Sequence, residues 1–483
     1  MKSSLRPTRP IPAFRALPTR SVRAKTRRVR LGLEGFENRI TPTLTYTITT
    51  AAYNNDGSKL AFDGDGNAYN TDHSPLSFEQ ALGAINTFDL NNGVFFHPGP
   101  SVINFNIPGA GVHRIETHGY KTFGFGQDDT TLDGFSQPGA KPNTAPLGSP
   151  INAKILIEFD IRCELTCSNN TVRGMSLRGI DLAGNTFFSR DSLNNHIEGN
   201  FLGVHADGKT SWGDAQEGVY IGKGAPSTWV GGGLPSLVNL VAGHTGIDPQ
   251  FGSVANGIFI DGSHNNVIVG NYIGTDKTGS HHAGNTLNGI RIASSPADHN
   301  LINENIIGFN GEYGVRVDNG FDNSFTTNSM FSNDKGGIFL AAGTNNDAPA
   351  PVLTSLDGST VTGSLAGASA ANPYTVEFFT STGKDAAGTY EGKKSLLLVQ
   401  VTSDPFTVDV PGATGFITAT ATDANDNTSV FSNALNAGAP VGDVKLGVDP
   451  NIPTSLLQGN RPGLKCASRM TALTIFPPPL ARS

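Results

Sequence analysis

Two stretches of this 483-residue chain carry the side chains best suited to chemistry. They are Phe201-Leu-Gly-Val-His-Ala-Asp-Gly-Lys-Thr-Ser-Trp-Gly213 and Tyr272-Ile-Gly-Thr-Asp-Lys-Thr-Gly-Ser-His-His-Ala-Gly284, each directly after a Gly-Asn pair. Between them they hold His205, Asp207, Lys209 and Trp212, then Asp276, Lys277, His281 and His282. An indole beside carboxylates and imidazoles suits a sugar, whose C–H face packs on the ring while its hydroxyls bond to the polar groups. The expected ligand-binding residues are therefore His205, Asp207, Trp212, Asp276, His281 and His282. The alternative is that both loops only cover the fold beneath them. His281 and His282 with Asp276 also raise a metal site, but adjacent residues in an extended chain point opposite ways. Exposed loop histidines are the better reading. With no Cys-x-x-Cys pair, zinc has no site. No metal ligand and no cofactor are assigned, Ca²⁺ being the one ion such carboxylates leave in view.

Hydrolysis or elimination at a sugar needs clustered carboxylates. Asp261 and Asp318 are the candidates, because repeat alignment places them in one column with Ala293 between them. Two layers of stacked strand separate them by roughly 10 Å, marginal for an inverting pair and too far for a retaining one. Each sits at a strand end beside Gly or Asn, where an Asx-turn is the ordinary job of Asp. No catalytic residue is assigned, and the absence of a carboxylate cluster favours a protein that is not an enzyme.

What must position these loops is a repeat. Asn194-Asn-His-Ile-Glu-Gly-Asn-Phe-Leu-Gly203 returns as Asn265-Asn-Val-Ile-Val-Gly-Asn-Tyr-Ile-Gly274, as His299-Asn-Leu-Ile-Asn-Glu-Asn-Ile-Ile-Gly308 and, weaker, at 322–331. A divergent copy is expected at 238–244. A Gly-apolar-x-apolar strand follows each copy, at Gly218, Gly257, Gly289, Gly314 and Gly337. The last three glycines are 25 and 23 residues apart. That period is too short for a helical solenoid and lacks the leucine-rich pattern. It fits one coil of a parallel β-helix, with coils stacked at about 4.8 Å so that like residues form columns. Ile197, Val267, Ile302 and Phe325 are expected in one interior column. Asn200, Asn271, Asn305 and Asn328 are expected at bends, tolerating left-handed backbone and bonding coil to coil. Matching insertions in two coils project from one face.

Composition agrees. Gly is abundant, at 59 residues, and only 16% of residues are charged, which disfavours long solvated helices. The one clear helical pattern is 76–85, with apolar residues at 78, 81, 82 and 85. The net charge of −7 hides a basic leader, since residues 1–43 hold 11 Lys/Arg and 2 Asp/Glu. The remainder, near −16, disfavours a nucleic-acid backbone. Disorder is the expected state of the leader, in preference to a nucleic-acid arm. Three cysteines make no disulfide framework, and Cys163 and Cys167 read as buried thiols. No run of 18 apolar residues is present, so no membrane span is expected.

Two resemblances follow from quoted residues. Leu33, Glu34, Phe36, Glu37, Arg39 and Pro42 resemble the N-terminal sorting segment of large extracytoplasmic planctomycete proteins, which implies export. The segment at 131–140, the repeats and Gly-Asn-Tyr-Ile-Gly-Thr-Asp-Lys-Thr-Gly279 resemble bacterial right-handed β-helix proteins of pectin-lyase-like fold that open with a CSLREA-type region. The helix at 76–82 sits where that region's helix sits, without its Cys and Arg. Most such proteins have no assigned reaction.

After residue 347 the repeat stops and alternating strands appear at 375–379, 396–401, 406–410 and 415–422, as in a small β-sandwich. Asp423-Ala-Asn-Asp-Asn-Thr-Ser429 resembles the closing motif of bacterial Ig-like modules, with Asp426 in place of the usual Gly. The expected chain is thus all-β: a basic leader with a sorting-like motif at 1–43, a right-handed single-stranded parallel β-helix with its cap at 44–347, an Ig-like β-sandwich at 348–435 and a disordered tail at 436–483. A secreted or cell-surface structural or binding protein is expected, with carbohydrate binding as its chemistry. A polysaccharide lyase or glycoside hydrolase of the same fold is the alternative. Polysaccharide or cell-surface components are the expected partners, with no nucleic acid, and the chain is expected to be a monomer.

Overall fold

The computed structural model describes residues 43–86, 100–184, 190–213, 216–245, 255–384 and 388–438, with backbone alone at 88–89 and 94–95. The basic leader with most of its sorting-like motif, Cys466 and the tail beyond residue 438 lie outside the described residues.

The described chain is all-β with long parallel sheets. Nine strands stack in one sheet, from Leu44–Ile48 and Ser101–Phe105 through His196–Glu198, Trp229–Gly231, Val267–Val269 and Leu301–Asn303 to Ser324–Thr326. In the second sheet, strand Ser176–Leu182 carries two further columns. One runs through Phe201–Leu202, Leu240–Val241, Tyr272–Ile273, Ile306–Gly308 and Ser329–Phe331. The other runs through Val219–Ile221, Ile258–Asp261, Ile290–Ala293, Tyr313–Val317 and Gly336–Leu340. From residue 196 on, the chain visits the first, second and third columns in turn and then returns to the first.

Register makes the core. In the first column Leu132, Val172, Ile197, Val230, Ile268, Ile302 and Phe325 stand one above the next, all buried. Val267, expected in this column, is not in it. It pairs with Trp229 and Leu301 on the outward face and is half-buried. The expectation was displaced by one residue, and in a strand one residue exchanges the two faces. Each third-column strand has a glycine next to its first residue, for a steric reason. A Cβ on Gly218 would lie 2.4 Å from a Val241 methyl and 2.6 Å from the Gly257 carbonyl oxygen.

Buried amides tie the layers together at the bends. Asn200, Asn239, Asn271, Asn305 and Asn328 form one ladder, each side-chain oxygen accepting from the backbone N–H of the Asn before it, at 2.9 to 3.4 Å. A second joins Asn266, Asn300, Asn323 and Asn345. A third joins Asn285, Asn310 and Asn333. The left-handed backbone expected at the ladder Asn falls instead on the residue before it: Gly199, Gly270, Glu304 and Thr327 all have positive φ. At these four bends one residue turns the chain and the next bonds. The divergent repeat is also re-registered. Asn239 joins the Asn200 ladder, and Trp229–Gly231 fills the first column with Thr228 in the Asn position.

The ends are covered. Helix Phe78–Asn86 forms as its spacing predicts and buries Phe78, Ala81 and Ile85. Phe78 meets Phe123 and Phe159 edge-on, with centroids 5.0 and 4.8 Å away. The Gly/Asn/Asp stretch before it holds a short hairpin of Leu60–Phe62 and Ala68–Asn70. Asp63 closes its turn by accepting from the N–H groups of Asp65 and Asn67. Buried Cys167 Sγ lies 2.8 Å from the carbonyl oxygens of Phe125 and Gln127, to either of which its single proton can be donated, and Cys163 is a second buried free thiol.

Residues after 350 form two antiparallel sheets with a shared core. One holds Val352–Asp357, Thr360–Ser364 and Phe406–Asp409. The other holds Lys394–Val401, Tyr374–Ser381, Gly415–Thr422 and Leu435–Gly438. The last strand runs past residue 435, where the module was expected to end. Leu353, Val361, Val376, Phe378, Phe406 and Ile417 pack between the sheets. This region closes the exposed end of the parallel stack. The hydroxyl of Thr428 accepts from Phe325 N (3.0 Å), and the carbonyl of Gly392 accepts from Met330 N (2.8 Å). Glu377 accepts from Thr327 N (2.8 Å). Each stands where a further layer would otherwise supply the partner, and covering such an edge prevents pairing with another chain.

Candidate functional site

The two chemistry-bearing loops are matching hairpins on the second column. Val204 bridges Ser211 and Thr275 bridges His282. They touch, Lys277 N donating to Gly208 O at 3.1 Å. Their turns are closed by their own acids. Asp207 accepts from the N–H groups of Lys209 and Thr210 and, at 2.5 Å, from the Thr210 hydroxyl. Partial burial pushes the Asp207 carboxyl up, but these bonds outweigh it and hold it below the usual range. Asp276, 6% exposed, accepts from Thr278 N and its hydroxyl, with His281 Nδ1 3.7 Å away.

The structure divides the six expected residues. The rings of His205 and Trp212 pack at a 31° tilt, with centroids 3.6 Å apart. Trp212 is only 9% exposed, its Nε1 donates to Ser176 Oγ at 3.2 Å, and the Arg114 and Arg178 guanidinium carbons lie 5.1 and 5.7 Å from its ring centre. His205 also faces Glu158, with Nδ1 3.4 Å from Oε1. Asp276 and His281 share the second hairpin, Asp207 stays in its own turn, and His282 lies near Phe309. Trp212 thus packs within the fold, while His281 is 74% exposed.

The two column carboxylates are engaged, though not in Asx-turns. Asp261 accepts from the Tyr220 hydroxyl (3.0 Å) and Ser294 Oγ (2.5 Å). Asp318 is held between Arg291 and Arg316, at 2.8 Å from each. Glu217, 8% exposed at the head of the third column, has its carboxyl pushed up to about 7, chiefly by burial.

Two features were not anticipated from sequence. Trp229 is 39% exposed on the outward face, stacked over His196 at 6.0 Å and 11°. Its degenerate repeat hid it, although the alternation of Trp229 with buried Val230 was a usable signal. The second feature is a cleft of ≈ 830 Å³ where the second column meets the antiparallel sheets. Ser280, Phe309, Phe331, Lys393, Lys394 and Phe416 are among its lining residues. Its lining runs from Gly148 to Gly438, so no local pattern marks it.

Among the described residues no group of three His, Cys, Asp or Glu is arranged to hold a metal ion, and no helix is long and apolar enough to cross a membrane. No protein-family model matches this chain, and no curated protein matches it.

Proposed function

We propose that this chain is a right-handed parallel β-helix capped by an Ig-like sandwich, working outside the cell or on its surface as a structural and carbohydrate-binding protein. The observation that carries this reading is the continuity of the buried amide ladders into the C-terminal sheets: the ladder through Asn333 ends on Glu391, and Asn345 bonds to the Thr428 carbonyl. Ladders of this kind tie each layer to the next by buried hydrogen bonds, which oppose local opening, a property useful in a display scaffold. The cyclic visiting of three columns supports the helix, and the N-terminal sorting-like residues support export. Exposed Trp229 and the Lys-lined cleft are the surfaces best suited to sugar.

The lyase or hydrolase alternative is favoured by one observation, the raised carboxyl of Glu217 near Asp181, since a carboxyl neutral near pH 7 can act as a general acid. Engagement of Asp261 and Asp318 by structural partners weighs toward binding without cleavage. The test is incubation of the full chain with a polysaccharide panel, reading retention together with new reducing ends and unsaturated products. Retention without products is expected. Products lost in Glu217→Gln would establish the enzyme instead, and neither retention nor products would remove the carbohydrate reading. Fractionation of cells with and without residues 1–43 tests export, and unchanged location on deletion would count against it.

A further inference from the structure

We infer that the cleft between Phe331 and the Lys393–Lys394 strand start binds an anionic oligosaccharide, bearing sulfate or carboxylate groups; this rests on the carbohydrate-binding reading and gives it a place and a charge. At ≈ 830 Å³ the cleft lies within the size range of ligand sites. Its lining contains two lysines and no Asp or Glu. Both lysines are exposed, and among the described residues neither ammonium has a carboxylate partner. In a chain of net charge −7, a pair of exposed lysines in a cleft whose own lining holds no acid stands out against its surroundings; Glu391 lines the adjoining hollow, but its carboxylate is buried and accepts from Asn333.

The cations are positioned. Lys393 Nζ lies 4.9 Å from the centre of the Phe331 ring, and its backbone is tied by Ser329 Oγ donating to Lys393 O at 2.5 Å. An adjoining hollow of ≈ 100 Å³ shares Phe331 and Lys393 and reaches Lys384. Lys384 sits 5.4 Å over Tyr390, which packs on Phe416 at 4.3 Å. Exposed hydroxyls of Ser280, Ser332 and Thr382 line the same walls. Ammonium groups for fixed negative charge, aromatic rings for C–H faces and hydroxyls for ring oxygens make the recognition set of an acidic sugar. A long nucleic acid needs many more cations along its backbone than this cleft supplies.

The test is calorimetric titration of the full chain with four probes: a galacturonate oligomer, a sulfated galactose oligomer, a neutral galactose oligomer and polyglutamate. At least one anionic sugar is expected to bind, weakening as salt rises, with the neutral oligomer and polyglutamate far weaker. Which of the two binds decides between carboxylate and sulfate. Lys393→Ala/Lys394→Ala, at exposed positions, should weaken binding by about tenfold or more while circular dichroism and melting stay unchanged. Equal binding by the double variant would overturn the cleft while leaving carbohydrate binding in place. Polyglutamate bound as tightly as the sugar would overturn the sugar assignment. Binding of the neutral oligomer alone would overturn the charge argument, and binding of no sugar would overturn both readings.

Discussion

Glu391, from the antiparallel region, accepts hydrogen bonds from both the backbone N–H and the side-chain amide of Asn333, at 2.9 and 3.0 Å. One buried carboxylate thereby occupies the position that the next asparagine of the ladder would take. Replacing it by alanine strands two buried donors. Glu391→Ala should cost about 3 kcal/mol, and Glu391→Gln, which keeps an acceptor, about 1 kcal/mol. Urea denaturation measures both, and equal losses would mean that acceptance is not what Glu391 contributes.

The ladder itself should be as sensitive. Asn305 Oδ1 accepts from the backbone N–H and side-chain amide of Asn271, while its own amide donates to Ile268 O and Asn328 Oδ1. Asn305→Leu keeps the bulk and removes every one of these bonds, so a loss of about 3 kcal/mol or more is expected. A near-neutral result in the same denaturation experiment would show that water replaces the amide.

Register gives a paired test. Ile302 is fully buried, whereas Val267 faces outward beside Trp229 and Leu301. Ile302→Asp should prevent folding, because it buries an unpaired charge. Val267→Asp should shift stability by no more than about 1 kcal/mol. Circular dichroism of the two variants distinguishes them, and a reversed order would refute the register.

The two tryptophans should separate in the same way. Trp212 is packed against His205 and bonded to Ser176, so Trp212→Ala should cost about 3 kcal/mol. Trp229→Ala, at a 39% exposed ring, should cost about 1 kcal/mol or less. Thermal melts measure both changes.

Glu217 predicts a pH dependence. Burial lifts its carboxyl from an ordinary 4.5 to about 7 in the folded chain. Between those values the folded state keeps a proton that the unfolded state has released. Its contribution is therefore fully present at pH 4 and is lost as pH rises through about 7. Glu217→Gln cannot ionise, so it should exceed the wild type at pH 8 by on the order of 2–3 kcal/mol and match it near pH 4. Denaturation at the two pH values tests this, and an equal offset at both would assign the effect to packing.

What the sequence determined by itself was whatever recurs once per layer. Ile197, Ile302 and Phe325, the asparagines at 200, 271, 305 and 328, and the third-column glycines were legible because stacking demands one residue type per position. Helix Phe78–Asn86 was legible from its own period. Tertiary structure alone decided the rest. It moved the interior position from Val267 to Ile268, assigned Asn239 to the Asn200 ladder, and enclosed Trp212 between His205 and two arginines. It also clamped Asp318 with Arg291 and Arg316, and ended a ladder on Glu391. The reason is physical: burial and bonding across layers depend on which residues, tens of positions apart, arrive at the same height, and a shift of one residue reverses the face a side chain occupies.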